Sequence, residues 1–193
     1  MPSDPSNSNQ KQSAGAARAW VSLGGNIAFE GLIGAPLFEA VLVVLAKGGF
    51  QTDRTSRLWT GPAWPDPSDP PYYNAVVEGR WSGGPSALLA LMLETEAAFG
   101  RRRSVRNAPR TLDLDLLDLE GGRGRFKPDL EVPHPRWTPR PFILGPLAEA
   151  GPDWRHPENG RSARDLFEVS ENKEKYCCVA EKLLKAPEIT ANP

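Results

Sequence analysis

The sequence predicts an α+β fold with a ferredoxin-like βαββαβ core, in which helices cover an antiparallel sheet in a three-layer α-β-α arrangement. The order of hydrophobic patterns between residues 19 and 119 is strand, helix, strand, strand, helix, strand. A length of 193 residues with 39% hydrophobic residues allows one sizeable core without disulfides or a structural metal. Gly and Pro, with 18 and 20 residues, stay below the share typical of low-complexity chains.

The first strand and helix follow an N-terminal segment that we expect to be a disordered tail. Residues 1–17 carry almost no bulky apolar side chains, so the folded domain is expected to span residues 18–167. Residues 19–23 form a short apolar strand that runs into a Gly-rich turn, Gly24-Gly25-Asn26. A helix follows from Pro36, with Gly48-Gly49 as its stop and apolar residues at helical spacing: Leu37, Val41, Val44 and Leu45.

Two further strands and a second helix complete the central pattern. Residues 50–59 and 73–81 are predicted strands, separated by a Pro- and Asp-rich loop at residues 61–71 whose length requires an explanation. The second helix begins at Pro85 and ends at Gly100.

The last strand of the predicted core lies at residues 111–119, and the segments after it are less regular. A turn at Gly121-Gly122, a Pro-rich stretch to His134 and a short apolar helix at residues 142–150 follow. Residues 168–193 are charged and predict a peripheral C-terminal tail, with a short helix at residues 179–184 as one possibility.

Charge and composition exclude several classes of partner. The formal net charge of −1 gives no overall field toward nucleic acid or an anionic membrane, so any anion site must be local. The longest uncharged apolar run, residues 40–46, is far shorter than a membrane span. The N-terminal stretch lacks the apolar region of a secretory signal, and the adjacent Cys177 and Cys178 disfavour an intramolecular disulfide. A cytoplasmic location is expected.

Two carboxylates share one face of the last core strand. Side chains alternate along a strand, so Asp113 and Asp115 point to the same face and the leucines between and beside them to the other. A solvated polar face is one interpretation. The other is a Mg²⁺ site, since Mg²⁺ accepts carboxylate oxygens while keeping waters and binding substrate phosphates.

An arginine-rich segment runs directly into this acidic strand. Its five guanidiniums could belong to a solvated loop, a nucleic-acid patch or a polyphosphate clamp: Arg101, Arg102, Arg103, Arg106 and Arg110. Adjacency to a carboxylate pair favours polyphosphate, because Mg²⁺ and arginine together stabilise phosphoryl transfer while an acidic pair repels a nucleic-acid backbone. The start at Gly100 and the lack of large apolar residues suit a mobile lid.

These residues resemble the 6-hydroxymethyl-7,8-dihydropterin pyrophosphokinase family, whose members move pyrophosphate from ATP to a pterin alcohol in the folate pathway. The resemblance covers about residues 19–167 in the same order. It is carried by Leu23-Gly24-Gly25-Asn26, Tyr72-Tyr73-Asn74-Ala75-Val76, Gly100-Arg101-x-Arg103, Pro109-Arg110-Thr111-Leu112-Asp113-Leu114-Asp115, Pro133-His134-Pro135-Arg136 and Arg140-Pro141-Phe142. Such a multi-part match is far more specific than any one motif.

The resemblance implies a role for each matching residue. Asp113 and Asp115 would bind two Mg²⁺ ions that bridge the ATP phosphates. Glu96 would be an acid of the nucleotide site, and His134 and Arg140 would hold the ATP phosphates. Tyr72 and Phe142 would sandwich the pterin ring, with Asn74 and backbone groups near Thr60 hydrogen-bonding its edge. Arg101, Arg103 and Arg110 would belong to the closing loop and its base.

The expected protein is therefore an ATP-dependent pyrophosphokinase that acts on two small molecules, with no nucleic acid or membrane partner. A monomer is compatible with the sequence. The rival interpretation is a ferredoxin-like RNA- or nucleotide-binding module without catalysis, in which the arginines contact phosphate. The rival leaves the paired carboxylates unexplained, and no aromatic-rich RNA-binding strand is present.

Overall fold

The structure is a computed structural model, and it describes residues 15–102, 108–127, 130–135 and 139–183. The elements, in chain order, are β1 (Ala17–Gly25), α1 (Ala35–Lys47), β2 (Gln51–Thr55), β3 (Arg57–Gly61), β4 (Tyr72–Trp81), α2 (Pro85–Ala98), β5 (Asp113–Leu119), β6 (Gly124–Lys127), β7 (Leu130–Val132), α3 (Pro141–Ala150), α4 (Ala163–Glu168), a 3₁₀ turn (Lys173–Lys175) and β8 (Cys177–Leu183).

The main sheet has the strand order β5-β1-β4-β3-β8, and β2 also pairs with β4. Every pairing in it is antiparallel, which confirms the ferredoxin-like arrangement. The predicted second strand is divided into β2 and β3 at Ser56, a fully buried residue. The hydroxyl oxygen of Ser56 accepts a hydrogen bond from the backbone N–H of Val76 at 2.9 Å, so the break leaves no buried donor unsatisfied.

Two cores lie on the two faces of this sheet. Because side chains alternate along β1, Val21 belongs to the core that contains Leu37 of α1 and Leu88 of α2. Trp20 belongs to the second core, with Leu144 of α3 and Leu166 of α4. The two helix pairs on opposite faces confirm the predicted three-layer architecture.

Helix α3 approaches the sheet closely at one glycine. A Cβ atom at Gly145 would lie 2.6 Å from Cη2 of Trp59, so only a glycine lets the helix rest on that indole ring. Arg140 precedes the helix and Pro141 occupies its first turn, as is usual for proline at a helix start. The close contact therefore fixes the N-terminal end of α3, and with it Phe142, relative to the sheet.

The C-terminal segment differs from its prediction. The expected helix at residues 179–184 is wrong for the described part, because Cys177–Leu183 form β8. β8 pairs with β3 and so extends the main sheet instead of forming a peripheral helix. The sequence also did not predict the β6-β7 pair or the short α4, which Ser162 caps with a reciprocal hydrogen bond to Asp165. Of the predicted N-terminal tail, residues 1–14 lie outside the described residues.

Among the described helices, none combines the length and apolar character needed to cross a membrane.

Candidate active site

The candidate site lies on the α3 side of the sheet, where three neighbouring strands bring predicted residues together. Gly24 of β1 is directly opposite both Asn74 of β4 and Asp113 of β5. Residues opposite each other in antiparallel strands project from the same face. Leu112, just before β5, and Leu114 and Leu116 within it belong to the core on the other face, so Asp113 and Asp115 project together toward the α3 side, as their alternation predicts.

Gly24 leaves the space between the amide and the carboxylate open. A Cβ atom at this position would lie 3.5 Å from Oδ1 of Asn74 and 3.8 Å from Cβ of Asp113. A larger side chain would therefore extend between the two polar groups. The Gly-rich turn predicted from the sequence thus begins with Gly24, and the lack of a side chain there leaves Asn74 and Asp113 facing a common space.

Asp113 is held by two arginines of the Arg-rich segment. Nη1 of Arg110 lies 3.0 Å from one carboxylate oxygen of Asp113, and Nη1 of Arg101 contacts the other. Both arginines are largely buried, with 22% and 16% of their side chains exposed. The carboxylate is therefore neutralised on both oxygens by groups that are themselves suited to bind phosphate.

Glu96 is buried and contacts Arg101, one of the two arginines that hold Asp113. Only 3% of it is exposed, and its Oε1 accepts hydrogen bonds from Nη1 of Arg101 at 2.5 Å and from the backbone N–H of Leu114 at 2.8 Å. Glu96 thus joins α2 to the start of β5 and orients Arg101. Any part it has in nucleotide binding would act through that arginine.

Asp115 has a different environment from Asp113. Burial raises the pKa of Asp115 above its ordinary value, and the negative charge of Asp113 raises that pKa further. The positive charges of His134, Arg140 and Arg101 act in the opposite direction. His134 and Arg140, which are far along the chain from β5, therefore act electrostatically on Asp115.

The backbone explains how His134 reaches this position. Its N–H donates a hydrogen bond to the carbonyl oxygen of Leu117 at 3.0 Å, which holds the segment after β7 alongside β5. Arg140 stands immediately before α3, with its guanidinium carbon 5.7 Å from the ring centre of Phe142. Both residues are therefore fixed beside the site by elements outside the βαββαβ core.

The two predicted ring-stacking residues are half-buried, and each has a guanidinium over its ring. The guanidinium carbon of Arg110 lies 5.9 Å from the centre of Tyr72. Asn74, two residues after Tyr72, is on the same strand face and only 8% exposed. The hydroxyl of Thr60 donates to the carbonyl oxygen of Tyr72 at 3.1 Å, so its side chain stabilises this strand end.

Asn26 is a site residue to which the sequence interpretation assigned no role. It is 2% exposed, and its Oδ1 accepts a hydrogen bond from the N–H of Arg110 at 2.9 Å. Its Nδ2 donates to the carbonyl oxygen of Pro70 at 2.9 Å. Asn26 therefore ties the base of the Arg-rich segment to the Pro-rich loop. The Gly24-Gly25-Asn26 turn marked Asn26 as part of a motif. The sequence could not show that its side chain bonds to Arg110 and Pro70.

The donor set limits which metal the site could hold. In the described ranges, no group of three or more His, Cys, Asp or Glu residues could hold a metal ion. The two carboxylates alone would suit an ion such as Mg²⁺, which completes its coordination with waters and phosphate oxygens. Arg103, the remaining predicted residue, lies outside the described residues.

Comparison with known proteins gives one family. Residues 20–152 match the family described as 7,8-dihydro-6-hydroxymethylpterin-pyrophosphokinase (HPPK). A 2-amino-4-hydroxy-6-hydroxymethyldihydropteridine pyrophosphokinase of Synechocystis is 40% identical over 150 residues, which cover 78% of this chain and 74% of the relative. The enzyme of the same name from Methylorubrum extorquens is 37% identical over 136 residues, covering 70% of this chain and 84% of the relative.

Solved structures support the fold. A Plasmodium falciparum HPPK-DHPS crystal structure with pterin and p-hydroxybenzoate is similar with a TM-score of 0.61 at 12% identity. The similarity covers 87% of this chain but only 48% of the solved chain, so this chain spans about half the length of that protein. At such low identity the likeness concerns the fold alone.

Proposed function

Because this chain belongs to the 7,8-dihydro-6-hydroxymethylpterin-pyrophosphokinase family, we propose a role for each part of its candidate site in pyrophosphate transfer. The reaction moves pyrophosphate from ATP to the hydroxymethyl group of 6-hydroxymethyl-7,8-dihydropterin, releases AMP and belongs to folate biosynthesis. The sequence prediction of this family and activity is confirmed.

The carboxylate pair is the proposed metal site. Two oxygen donors on one strand face, with no third protein ligand among the described residues, fit Mg²⁺ ions that share the phosphate oxygens of ATP. We assign Asp113 and Asp115 to two such ions. When bound, they would neutralise charge that develops on the bridging oxygens during transfer.

Arg101 and Arg110 are proposed to exchange partners when ATP binds. In the structure their guanidiniums contact the two oxygens of Asp113. The ATP phosphates offer these guanidiniums several acceptor oxygens, while a cation bound to Asp113 replaces the positive charge that the arginines withdraw. His134 and Arg140, whose positive charges act on Asp115, would bind the same phosphates. Arg103 would join them from the lid, and Glu96 would keep Arg101 in position.

The pterin is proposed to bind at the β4 side of Gly24. Tyr72 and Phe142 would contact the two faces of the flat ring, and the amide of Asn74 offers both a donor and an acceptor to its edge. Backbone groups near Thr60 would add further hydrogen bonds. The pterin would then lie beside the carboxylate pair, a position supported by the closeness of Gly24 to both Asn74 and Asp113.

The chemistry then requires little beyond positioning. The hydroxymethyl oxygen attacks the β-phosphorus in line, and the bond from that phosphorus to the oxygen of AMP breaks. The arginines stabilise charge on the transferred group and on the leaving oxygen. Closure of the Arg-rich segment over the phosphates would exclude water and so suppress hydrolysis of ATP.

We further propose that the protein works on these small molecules without nucleic acid or a membrane, as a cytoplasmic monomer with its catalytic domain at residues 18–167. The near-zero net charge supports this proposal, and so does the adjacency of Cys177 and Cys178, which disfavours an intramolecular disulfide.

The observation that carries these assignments is the joint position of Asn74, Gly24 and Asp113 on one row of the sheet. The direct test measures AMP formation from ATP with and without the pterin alcohol, in buffer with Mg²⁺. We expect AMP and pterin pyrophosphate in equal amounts only when all three are present. Absence of AMP combined with salt-dependent RNA binding would support the rival binding module instead.

A further inference from the structure

The C-terminal strand brings one more aromatic residue to the proposed pterin site. β8 pairs with β3, with Cys177 opposite Thr60. Tyr176 precedes Cys177 in extended backbone, at φ −117° and ψ 126°, so it lies opposite Gly61. Gly61 in turn is opposite Tyr72 across β3 and β4. Tyr176, just before β8, therefore continues the row formed by Gly61 of β3 and Tyr72 of β4, on the same face as Asn74.

The ring of Tyr176 occupies the space that a side chain at residue 61 would need. A Cβ atom at Gly61 would lie 2.0 Å from Cδ1 and 2.2 Å from Cε1 of Tyr176. Distances this short are not found between real atoms, so the ring can rest on the strand only because residue 61 is glycine. Gly61 has no positive φ angle, and its role here is space, not backbone freedom.

The Tyr176 ring also contacts the ring of Phe142. The two ring centres are 5.6 Å apart with the planes tilted by 43°, a favourable aromatic distance. Phe142 also has the guanidinium of Arg140 near its ring at 5.7 Å. The orientation of Phe142 is therefore set by two neighbours, one before α3 and one from the C-terminal segment. Burial raises the pKa of Tyr176 above its ordinary value, which agrees with a ring partly removed from water.

Tyr176 is not a member of either hydrophobic core. Phe142 itself is only partly buried at the edge of the second core. A contact between two such rings adds little to the packing of the domain, yet it lies where a flat ligand is expected. Its position is therefore explained better by the ligand than by the stability of the fold.

We propose that Tyr176 is a positioning residue for the pterin: it holds the Phe142 ring in its stacking orientation and forms the outer wall of the pocket above Gly61. The proposal rests on the proposed function of this site. It also extends the pterin site beyond residue 167, so that the C-terminal segment takes part in recognition of a flat bicyclic heteroaromatic substrate.

The test compares pterin and ATP binding in variants of Tyr176. Replacing Tyr176 with Ala removes the support of Phe142, so we expect the Kd and KM for 6-hydroxymethyl-7,8-dihydropterin to rise about tenfold, within the range that loss of one aromatic stacking contact produces. The KM for ATP and the melting temperature should stay close to those of the wild type. Tyr176→Phe keeps the ring and should retain pterin affinity. Val179→Ala is the matched control, because it truncates an exposed side chain of the same strand.

A double-mutant cycle with Gly61 separates the ring contact from other effects. Gly61→Ala should displace the Tyr176 ring and weaken pterin binding by a similar factor. In the Tyr176→Ala background the same Gly61 change should cost much less, because no ring remains to be displaced. Additive losses would contradict the proposed contact.

Besides additive losses in that cycle, three results with Tyr176→Ala would overturn the proposal. Unchanged pterin affinity in Tyr176→Ala would show that the ring does not support the pocket. Tighter pterin binding would show that the ring obstructs it. An equal loss for pterin and ATP together with a lower melting temperature would indicate a purely structural role. The wild-type protein is assayed first: if it forms no AMP with pterin present, the proposed function fails, whereas normal wild-type turnover with any of these three results rejects only the role of Tyr176.

Discussion

The two ends of strand β5 carry aspartates in opposite circumstances. At one end, Asp118 is fully buried, and its carboxylate accepts hydrogen bonds from Nη2 of Arg123 at 2.7 Å, Nε1 of Trp154 at 3.0 Å and the backbone N–H of Leu119 at 2.9 Å. At the other end, Asp115 is half-buried beside the like charge of Asp113, and desolvation and that charge raise its pKa.

The difference separates a structural carboxylate from a functional one on the same strand. Asp118 has donors of fixed geometry for both oxygens, so its charge is compensated within the folded chain. The pKa of Asp115 stays raised although the positive charges of His134, Arg140 and Arg101 act against that rise. A bound cation would act in the same direction as those charges, so ligand binding would stabilise this end of β5 further, whereas the charge of Asp118 is already compensated.

The largest expected effect is on catalysis at the site end. Asp115→Asn keeps the shape of the side chain but removes its charge, so a bound cation would lose a ligand and the transition state several kcal/mol of stabilisation. We expect kcat/KM to fall at least about a hundredfold, since each 1.4 kcal/mol corresponds to a factor of ten. Steady-state AMP formation at saturating Mg²⁺ measures this loss. If Asp115→Asn turned over at nearly the wild-type rate, Asp115 would not have the functional role that distinguishes it from Asp118.

The next effect concerns stability at the opposite end. Asp118→Asn leaves a buried amide opposite Arg123 and places an NH₂ group near donors, so we expect the free energy of unfolding to fall by about 2–3 kcal/mol. Urea unfolding measures it, and kcat per folded molecule should not change. Glu131→Gln, which removes an exposed ion pair with Arg125, is the control and should shift stability by less than about 0.5 kcal/mol. A loss of activity without a loss of stability would contradict the structural assignment.

A smaller effect is expected when the arginine at the site end changes shape but keeps its charge. In Arg101→Lys a compact ammonium replaces a planar guanidinium that contacts Glu96, the carbonyl oxygen of Leu112 and Asp113 together. We expect kcat to fall about tenfold and the KM values to change less, because the phosphate contact is made mainly after closure. Arg102→Lys, at the exposed neighbouring position, should behave like the wild type. A KM effect alone would indicate simple ATP binding.

The smallest effect has the opposite sign. Without metal or substrate, Asp115→Asn should be more stable than the wild type by about 1 kcal/mol near neutral pH, because the desolvated charge beside Asp113 is gone. Because the folded-state pKa of Asp115 is raised, the penalty on the wild type is absent below the pKa of the unfolded chain, grows as pH rises between the two pKa values and is complete above the folded-state pKa. Thermal unfolding in chelator across pH measures the difference. A difference that grows as pH falls would contradict this account.

The sequence predicted the site end of β5 better than the structural end. Asp113 and Asp115 alternate with leucines, and a period of two is a local property that needs no knowledge of the rest of the chain. Asp118 breaks that alternation at a register shift between β1 and β5 and depends on Trp154, 36 residues further on. A contact of that sequence separation leaves no local pattern, so its role could not be predicted.

Long-range contacts also explain why the helix predicted at residues 179–184 is wrong. Residues 177–183 form a strand because β3 offers an unpaired edge, and that tertiary contact overrides a weak helical pattern. Glu96 was predicted as an acid of the site from its resemblance alone. Its contacts with Arg101 and with the backbone of Leu114 depend on how α2 packs against β5, which the sequence does not show.

The position of Gly24 sets the distance between the proposed pterin-binding and metal-binding residues. It stands directly opposite Asn74 on one side and Asp113 on the other, so these two residues are separated by one intervening strand. Hydrogen-bonded strands lie about 4.8 Å apart, and the two anchors are therefore about 10 Å apart across the sheet. Backbone hydrogen bonds between the strands thus fix the distance from the proposed pterin site at Asn74 to the proposed ATP site at Asp113. Changes in the length or composition of the loops and tails around the sheet should leave the distance between Asn74 and Asp113 unchanged.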